Sequence, residues 1–399
     1  MKNLTLFLAY FIIGTIVFSV NCRRVDVTSE DDQDKVDPYK PIDFTAKVDD
    51  EKYKKNLNIL VWPSYFAPET LHEFTDETGI QVNYHVMNAM EDLFEVVKQE
   101  GKQKYRVVCA ISNEMLTGKF DLIFVAARVV QILPEDNLLE ELDLTKIDYD
   151  KVDPQFKSSP YDPGNRFSIP YSWGVMGIAY RKDIVSQEKI NKSWGFIFKP
   201  DSMFDGKISL LSDARTTIGA ALAYKRYSIN TTQTTAIANA CNLLHDLKNH
   251  DIKLIPNPGN LLNSGDLWIS MLWNGDVSVA QEFDEDSADK IDFFVPKEGS
   301  IRFIDNMCIP IGSLNKEGAY KFINFVLRDT NAVKIAGAIK QPLGSFAYRE
   351  ILEASEEGKV LLENEVSFPP QRVIDNCEYL MDVGESTRYY IDGWRELVE

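Results

Sequence analysis

The chain has little of what most enzymes use for nucleophilic, acid–base or metal chemistry. It holds four His and five Cys in 399 residues. No C-x-x-C pair occurs, and no His/Cys spacing typical of a metal site, so zinc and iron–sulfur modules have no basis here. His72, His85, His245 and His250 stand singly in expected helices or strands. The runs G-x-x-x-x-G-K-[ST], G-x-S-x-G and H-E-x-x-H are missing as well. We therefore expect no cofactor, no metal and no enzymatic activity, and in particular no ATP hydrolysis by this chain. Basic residues are in deficit too: 43 Lys and Arg face 61 Asp and Glu, a formal net charge of -18. A phosphate backbone needs clustered Lys and Arg, so nucleic acid is not an expected partner. An acidic surface instead raises the local concentration of cations. After residue 55 no apolar run is long enough to span a bilayer.

What is present begins at the N-terminus. Lys2 gives a basic start, residues 4–20 are mostly apolar, and Ser19-Val20-Asn21-Cys22 follows. This order predicts a signal peptide over residues 1–22. A Cys closing the apolar run resembles a bacterial lipobox, with Cys22 as the lipid attachment; plain secretion and an uncleaved anchor are the alternatives. Asn21 stands where a small residue is usual, as in the relaxed lipobox of spirochaetes. Residues 23–55 are polar, with the run Glu30-Asp31-Asp32-Gln33-Asp34. They hold too few apolar side chains to offset the entropy of ordering, which predicts a disordered acidic tether. The soluble part is then held outside the cytoplasmic membrane, in the periplasmic space, by a lipid anchor. The other cysteines, Cys109, Cys241, Cys308 and Cys377, read as buried free thiols.

From residue 56 the pattern is α/β. Residues 58–62 form an apolar strand that stops at Pro63-Ser64, and Pro68 opens a helix that Gly79 ends. Residues 80–86 read as a strand, 90–98 as a helix, 121–125 as a fully apolar strand and 129–133 as a helix. A second α/β block follows Pro170. It has strands near 209–212, 268–273 and 291–295, and helices after Asp213 and over 235–249. Helices at 318–327, 345–354 and 371–394 complete the chain. Strands alternating with amphipathic helices imply a mainly parallel sheet, and continuous apolar strands imply cover on both faces. Two such blocks suggest two lobes with a cleft between them. In open α/β sheets the ligand lies at the carboxyl ends of strands, which singles out Trp62 with Tyr65, and Ala126 with Arg128.

The motifs Trp62-Pro63-Ser64-Tyr65-Phe66-Ala67-Pro68, Phe120-Asp121-Leu122-Ile123, Ser168-Ile169-Pro170-Tyr171-Ser172-Trp173-Gly174, Ser212-Asp213-Ala214-Arg215, Leu272-Trp273-Asn274-Gly275 and Asp305-Asn306-Met307-Cys308-Ile309-Pro310 occur in fixed order. Together they resemble the substrate-binding component of spermidine/putrescine importers. The resemblance implies a two-lobed, type II periplasmic-binding-protein fold with two hinge crossovers, near residues 170–174 and 305–309. Lobe I would comprise residues 56–170 and 306–345, and lobe II residues 171–305 and 346–399. It also implies a monomer that closes on its ligand and docks on an ABC permease driven by separate ATPase subunits.

A polyamine needs carboxylates for its ammonium groups and flat apolar walls for its methylenes; aromatic faces contribute to both. By resemblance Trp62, Tyr65 and Trp273 form the walls, Phe303 keeps an aromatic beside Asp305, and Asp305 holds an amine. Asp213 matches a further carboxylate that could equally cap the following helix. Tyr171 and Trp173 are weaker candidates that could only pack the hinge. The departures are Ala126 and Arg128 for a Ser and an aromatic, Thr216 for a Glu, and Gln341 for a Tyr. Leu380 or Tyr379 stands near another changed cleft position. If Arg128 faces the cleft, a ligand with an ammonium at one end and a neutral or anionic group at the other is favoured. If Arg128 pairs with Asp213, a polyamine remains possible. The further alternatives are a surface sensor or adhesin on the same fold and a binder of a zwitterionic amino compound.

Overall fold

The computed structural model describes residues 56–398 except 63, 64, 67, 88–93, 99–104, 110, 284, 285, 346, 347 and 355. The expected signal peptide, Cys22 and tether lie outside the described residues. The strands are β1 Asn56–Val61, β2 Gln81–Val86, β3 Phe94–Lys98, β4 Tyr105–Cys109, β5 Leu122–Ala126 and β6 Ile169–Arg181. They continue with β7 Ile208–Leu210, β8 Lys253–Leu254, β9 Ile269–Trp273, β10 Ile291–Phe294, β11 Ser300–Cys308 and β12 Cys377–Tyr379.

Among these residues one ten-stranded sheet runs β2-β1-β5-β11-β6-β9-β7-β8, with β10 on β6 and β12 on β11. Its two ends are parallel: β2, β1 and β5 at one, and β9, β7 and β8 at the other. Between them β11 and β6 run antiparallel to each other and to their outer neighbours. Parallel strands need crossover connections, and the helices Pro68–Thr78, Ala214–Tyr224 and Thr234–Asp246 supply them.

The sequence of β5 explains how its end of the sheet is buried. Leu122 and Phe124 pack in one cluster with Leu57, Ile59 and the helix Lys316–Leu327, while Ile123 and Val125 pack on the other face with Leu60 and Met115. Alternate side chains of a strand leave opposite faces, so a fully apolar strand needs cover on both. A second core forms around Ile208, Leu210, Ile218, Ile237, Ile269 and Tyr390. The two long central strands pass from one core to the other. β6 gives Ile169, Tyr171 and Trp173 to the first side and Met176, Ile178 and Tyr180 to the second. β11 gives Ile301 to the second and Ile304, Met307 and Cys308 to the first. These are two hinge crossovers between two α/β lobes.

Some expectations are corrected. Residues 94–98 form a strand antiparallel to β4, not the end of a helix over 90–98, of which 90–93 lie outside the described residues. The pair sets Val96 against Val107, and β-branched residues fit a pleated ladder better than a helix. The expected helix over 371–394 is four elements: a helical turn Gln371–Ile374, β12 along β11, a 3-10 turn Gly384–Ser386 and a helix Thr387–Val398. Gly384 sits at φ +54, a left-handed conformation incompatible with a continuous helix. Leu352 and Phe368 pack in the first lobe's cluster, Val366 and Ser367 accept hydrogen bonds from Asn274 Nδ2, and Val383 and Tyr390 pack in the second core. Among the described residues Cys241, Cys308 and Cys377 are buried free thiols, and no helix is long and apolar enough to cross a membrane.

Candidate functional site

The hinge strands carry the centre of the site. β11 has an irregularity between Asp305 and Asn306, and Asp305 lies opposite Ala126 of β5 and Ser172 of β6. Its side chain is 6% exposed. The Tyr65 hydroxyl donates to the Asp305 carboxylate, and the Tyr171 hydroxyl donates to the Tyr65 carbonyl. The Tyr65 and Tyr171 rings stand 5.4 Å apart, and Tyr171 meets Phe124 edge-on at 4.9 Å. Tyr171 thus fixes the loop that follows β1, and Tyr65 solvates Asp305. Burial pushes the Asp305 carboxyl up to about 7, while the Tyr65 hydrogen bond pulls it the other way. The Tyr65 hydroxyl is itself held well above its ordinary value, by burial first and then by the Asp305 charge. An ionised carboxylate in such a place is costly unless a cation joins it.

A second carboxylate lies near enough for its charge to act on the same tyrosine. Asp276 lies in the first turn of the helix Asn274–Gln281, and burial pushes its carboxyl up to about 6. Its charge also acts on the Tyr65 hydroxyl. Among the described residues no hydrogen bond or ion pair to Asp276 is found. The helix is positioned by Asn274, whose Oδ1 accepts from the Val175 N–H at 2.9 Å and whose Nδ2 donates to the Val366 carbonyl at 2.9 Å. Gly275 is needed for closeness, because a Cβ there would fall 1.8 Å from Gln341 Nε2. Gln341 Oε1 in turn accepts from Ser172 Oγ at 2.8 Å.

Trp273 ends β9 and meets Phe303 edge-on, with ring centroids 5.1 Å apart. Phe303 and Asp305 are two residues apart on β11 and so share a face. Gly174 allows the approach: a Cβ there would lie 2.2 Å from Asn274 Oδ1 and 2.5 Å from the Phe303 ring. Trp62 closes β1 and packs partly buried against the cluster of Leu60, Met87 and Ile123. Its indole Nε1 is buried without a hydrogen-bond partner among the described residues.

The other end of the cleft is built differently. Asp213 Oδ1 accepts from the Thr216 N–H at 2.7 Å, which makes it the N-cap of the helix Ala214–Tyr224. Its other oxygen stands 3.8 Å from an Arg128 guanidinium nitrogen. Arg128 lies just after β5, so the ion pair spans the two lobes. Gln131 and Asp382 also meet there, the Asp382 N–H donating to Gln131 Oε1 at 2.9 Å. Thr216 is buried, 4% exposed, behind the cap. At the opposite rim Lys340 and Glu282 form a second ion pair, 3.0 Å apart.

Comparison with known proteins agrees with this geometry. Residues 115–377 match the family described as bacterial extracellular solute-binding protein. The chain is 31% identical over 345 residues to the spermidine/putrescine-binding periplasmic protein of Escherichia coli strain K12, covering 84% of this chain and 89% of that one. It is 31% identical over 307 residues to the putrescine-binding periplasmic protein SpuD of Pseudomonas aeruginosa, covering 73% and 79%. Among solved structures, the spermidine/putrescine substrate-binding protein PotD of Streptococcus pneumoniae superposes with TM-score 0.71 at 26% identity, covering 86% of this chain and 98% of that one. The chain belongs to the bacterial extracellular solute-binding proteins. Its fold is the type II fold of that group.

In this solute-binding protein the expected site residues fall into separate groups. Tyr65 and Asp305 are in contact, Trp273 and Phe303 are in contact, and Gln341 sits beside Gly275. Arg128, Asp213 and Thr216 form the far group. Tyr171, expected mainly to pack the hinge, also orients Tyr65, whereas Trp173 does pack the hinge, donating to the Leu343 carbonyl at 3.3 Å. Sequence reasoning missed Asp276. Its sequence carries no distinguishing signal, because an acidic residue in the first turn of a helix is ordinary.

Proposed function

We propose that this protein captures a polyamine or a related small organic amine in the interlobe cleft and delivers it to an ABC permease driven by separate ATPase subunits. The observation that carries this reading is the pair of carboxylates, Asp305 and Asp276, whose charges both act on Tyr65, with no ion pair to either among the described residues. An ammonium would neutralise them, and the Trp273 and Phe303 rings would cover its methylenes. Gln341, with Ser172, fixes the edge of this pocket, and Trp62 lines the approach to it. The names of the relatives, which bind spermidine or putrescine, support the same ligand class. The chain acts as a monomeric carrier and not as an enzyme. Residues 1–22 act as the signal, Cys22 carries the lipid, and residues 23–55 are the tether to the membrane. Lobe I comprises residues 56–170 with 306–370, and lobe II residues 171–305 with 380–399. Calorimetric titration of the full chain with putrescine, spermidine, amino acids and amino acid amides tests the reading. Amine binding that disappears in Asp305→Ala is expected; a folded protein that binds no amine overturns it.

A further inference from the structure

The far end of the cleft has a charge balance unlike that around Asp305. One carboxylate, Asp213, pairs with the Arg128 guanidinium, and its charge also acts on the Arg215 guanidinium. Arg128 reaches it from the first lobe at 3.8 Å. Arg215 stands two residues along the chain, 8% exposed, with its guanidinium stacked 4.1 Å from the Tyr390 ring centroid and donating to the Met381 carbonyl at 3.0 Å. Burial lowers the Arg215 guanidinium from its ordinary value, and the Arg128 charge acts in the same direction. Arg215 is therefore close enough to Arg128 to feel its charge. Thr216, the next residue, brings no charge, and the second oxygen of Asp213 is engaged with the Thr216 N–H. Both sides of the Arg128–Asp213 contact are partly shielded, with side chains 18% and 33% exposed, so water does not fully screen them.

A further ammonium entering here would find Asp213 already paired with Arg128, with the Arg215 guanidinium nearby. We propose that Arg128 is a resident cation of the cleft, occupying Asp213 in place of a ligand ammonium and so setting the ligand class to a short diamine rather than a longer triamine. This rests on the amine-binding reading above and assigns Arg128 as its specificity determinant. A diamine held at the Asp305–Asp276 end leaves the Arg128–Asp213 contact intact. A triamine extended along the cleft must either displace Arg128 from Asp213 or place an ammonium beside it.

The test is a titration of the full chain with putrescine and spermidine, in the wild type, Arg128→Gln and Asp213→Asn. Asn keeps the helix cap, so this second variant stays informative if Arg128→Gln folds poorly. The wild type is expected to favour putrescine by at least about tenfold. Arg128→Gln frees Asp213 and raises spermidine affinity about tenfold, with putrescine changed less than about threefold. Asp213→Asn leaves Arg128 unneutralised and weakens spermidine further, again sparing putrescine. Equal wild-type affinities for the two amines, or a spermidine-to-putrescine ratio unchanged in both variants, overturn this inference and leave the amine reading standing. Preference for an amino acid over both amines overturns this inference as well, by assigning Arg128 to a ligand carboxylate. Absence of any amine binding in all three folded proteins overturns both.

Discussion

The Tyr65 hydroxyl donates to the carboxylate of Asp305, 240 residues away in sequence. Tyr65 follows β1 and Asp305 stands on the hinge strand β11, so the bond ties the first lobe's ligand loop to the crossover. Tyrosine is a neutral donor. It solvates the buried carboxylate without neutralising it, which leaves the charge for an ammonium. Asp305→Asn keeps shape and removes the charge. It is expected to weaken amine binding by about 2–5 kcal/mol, the cost of losing one partner of a buried charge pair. The unliganded variant should melt no lower than wild type, because a buried charge has gone. Titration and thermal unfolding of the same samples check both statements. An unchanged affinity would remove Asp305 from the binding site.

Amine affinity is expected to depend on pH through the same groups. Asp305 is pushed up to about 7 and Asp276 to about 6, in both cases by burial. An ammonium needs the ionised carboxylates, so binding below these values must release protons. Affinity should fall from about pH 8 to about pH 5, steepest near the Asp305 value. Tyr65→Phe removes the hydrogen bond that holds Asp305 down, so the midpoint of that fall should move to higher pH. A midpoint that stays in place would show that Tyr65 does not govern Asp305.

Stability of the unliganded protein should run the opposite way. The folded Asp305 carboxyl lies at about 7 and the ordinary value is 3.8. Between these values the folded state holds a proton that the unfolded chain has released. The contribution is therefore present below pH 3.8 and lost as pH rises to about 7. Thermal melts of wild type and Asp305→Asn across this interval should diverge with rising pH, the wild type losing ground. Parallel curves would contradict the raised value.

How legible the fold was in the sequence depended on the length of each local pattern. β5 was readable because Leu122-Ile123-Phe124-Val125 is apolar on both faces. β3 and β12 were not, because each is short and owes its state to a partner: β3 to β4, and β12 to an edge of β11. The site divided the same way. Trp273, Phe303 and Asp305 stand in recognisable motifs. The Arg128–Asp213 ion pair joins residues of different lobes, and local sequence could pose that pairing but not decide it. Asp276 was invisible as a site residue because an acidic side chain in a helix's first turn is ordinary. Only its half-buried place near Tyr65 distinguishes it.

Trp273→Ala should separate wall from charge. The indole packs against Phe303 and partly against the second core, so its loss should cost affinity by roughly 0.5–2 kcal/mol through the lost cation–π and methylene contacts. Unlike Asp305→Asn, the deficit should be the same at every pH, because no titrating group has changed. A pH-dependent deficit would mean that the Trp273 ring controls the solvation of a carboxylate.

Two glycines near Trp273 should behave differently on substitution by alanine, and the contrast tests whether the lobes meet at Gln341. At Gly174 the added methyl would meet Asn274 Oδ1 and the Phe303 ring. Asn274 is held by its bonds to Val175 and Val366, and Phe303 is held by Trp273, so neither can yield cheaply. Gly174→Ala should lose about 1–3 kcal/mol of stability as an overpacked core position. At Gly275 the methyl would meet the Gln341 side chain, 1.8 Å from Nε2, 2.6 Å from Cδ and 2.7 Å from Cγ. That side chain can swing away, so Gly275→Ala should melt near the wild-type temperature. Swinging away breaks the bond to Ser172 and puts a wedge between the helix that carries Asp276 and the first lobe. Affinity for amines should then fall while stability holds, and the unliganded protein should scatter as a more open particle in solution. If Gly275→Ala binds putrescine as the wild type does, the contact with Gln341 plays no part in closure.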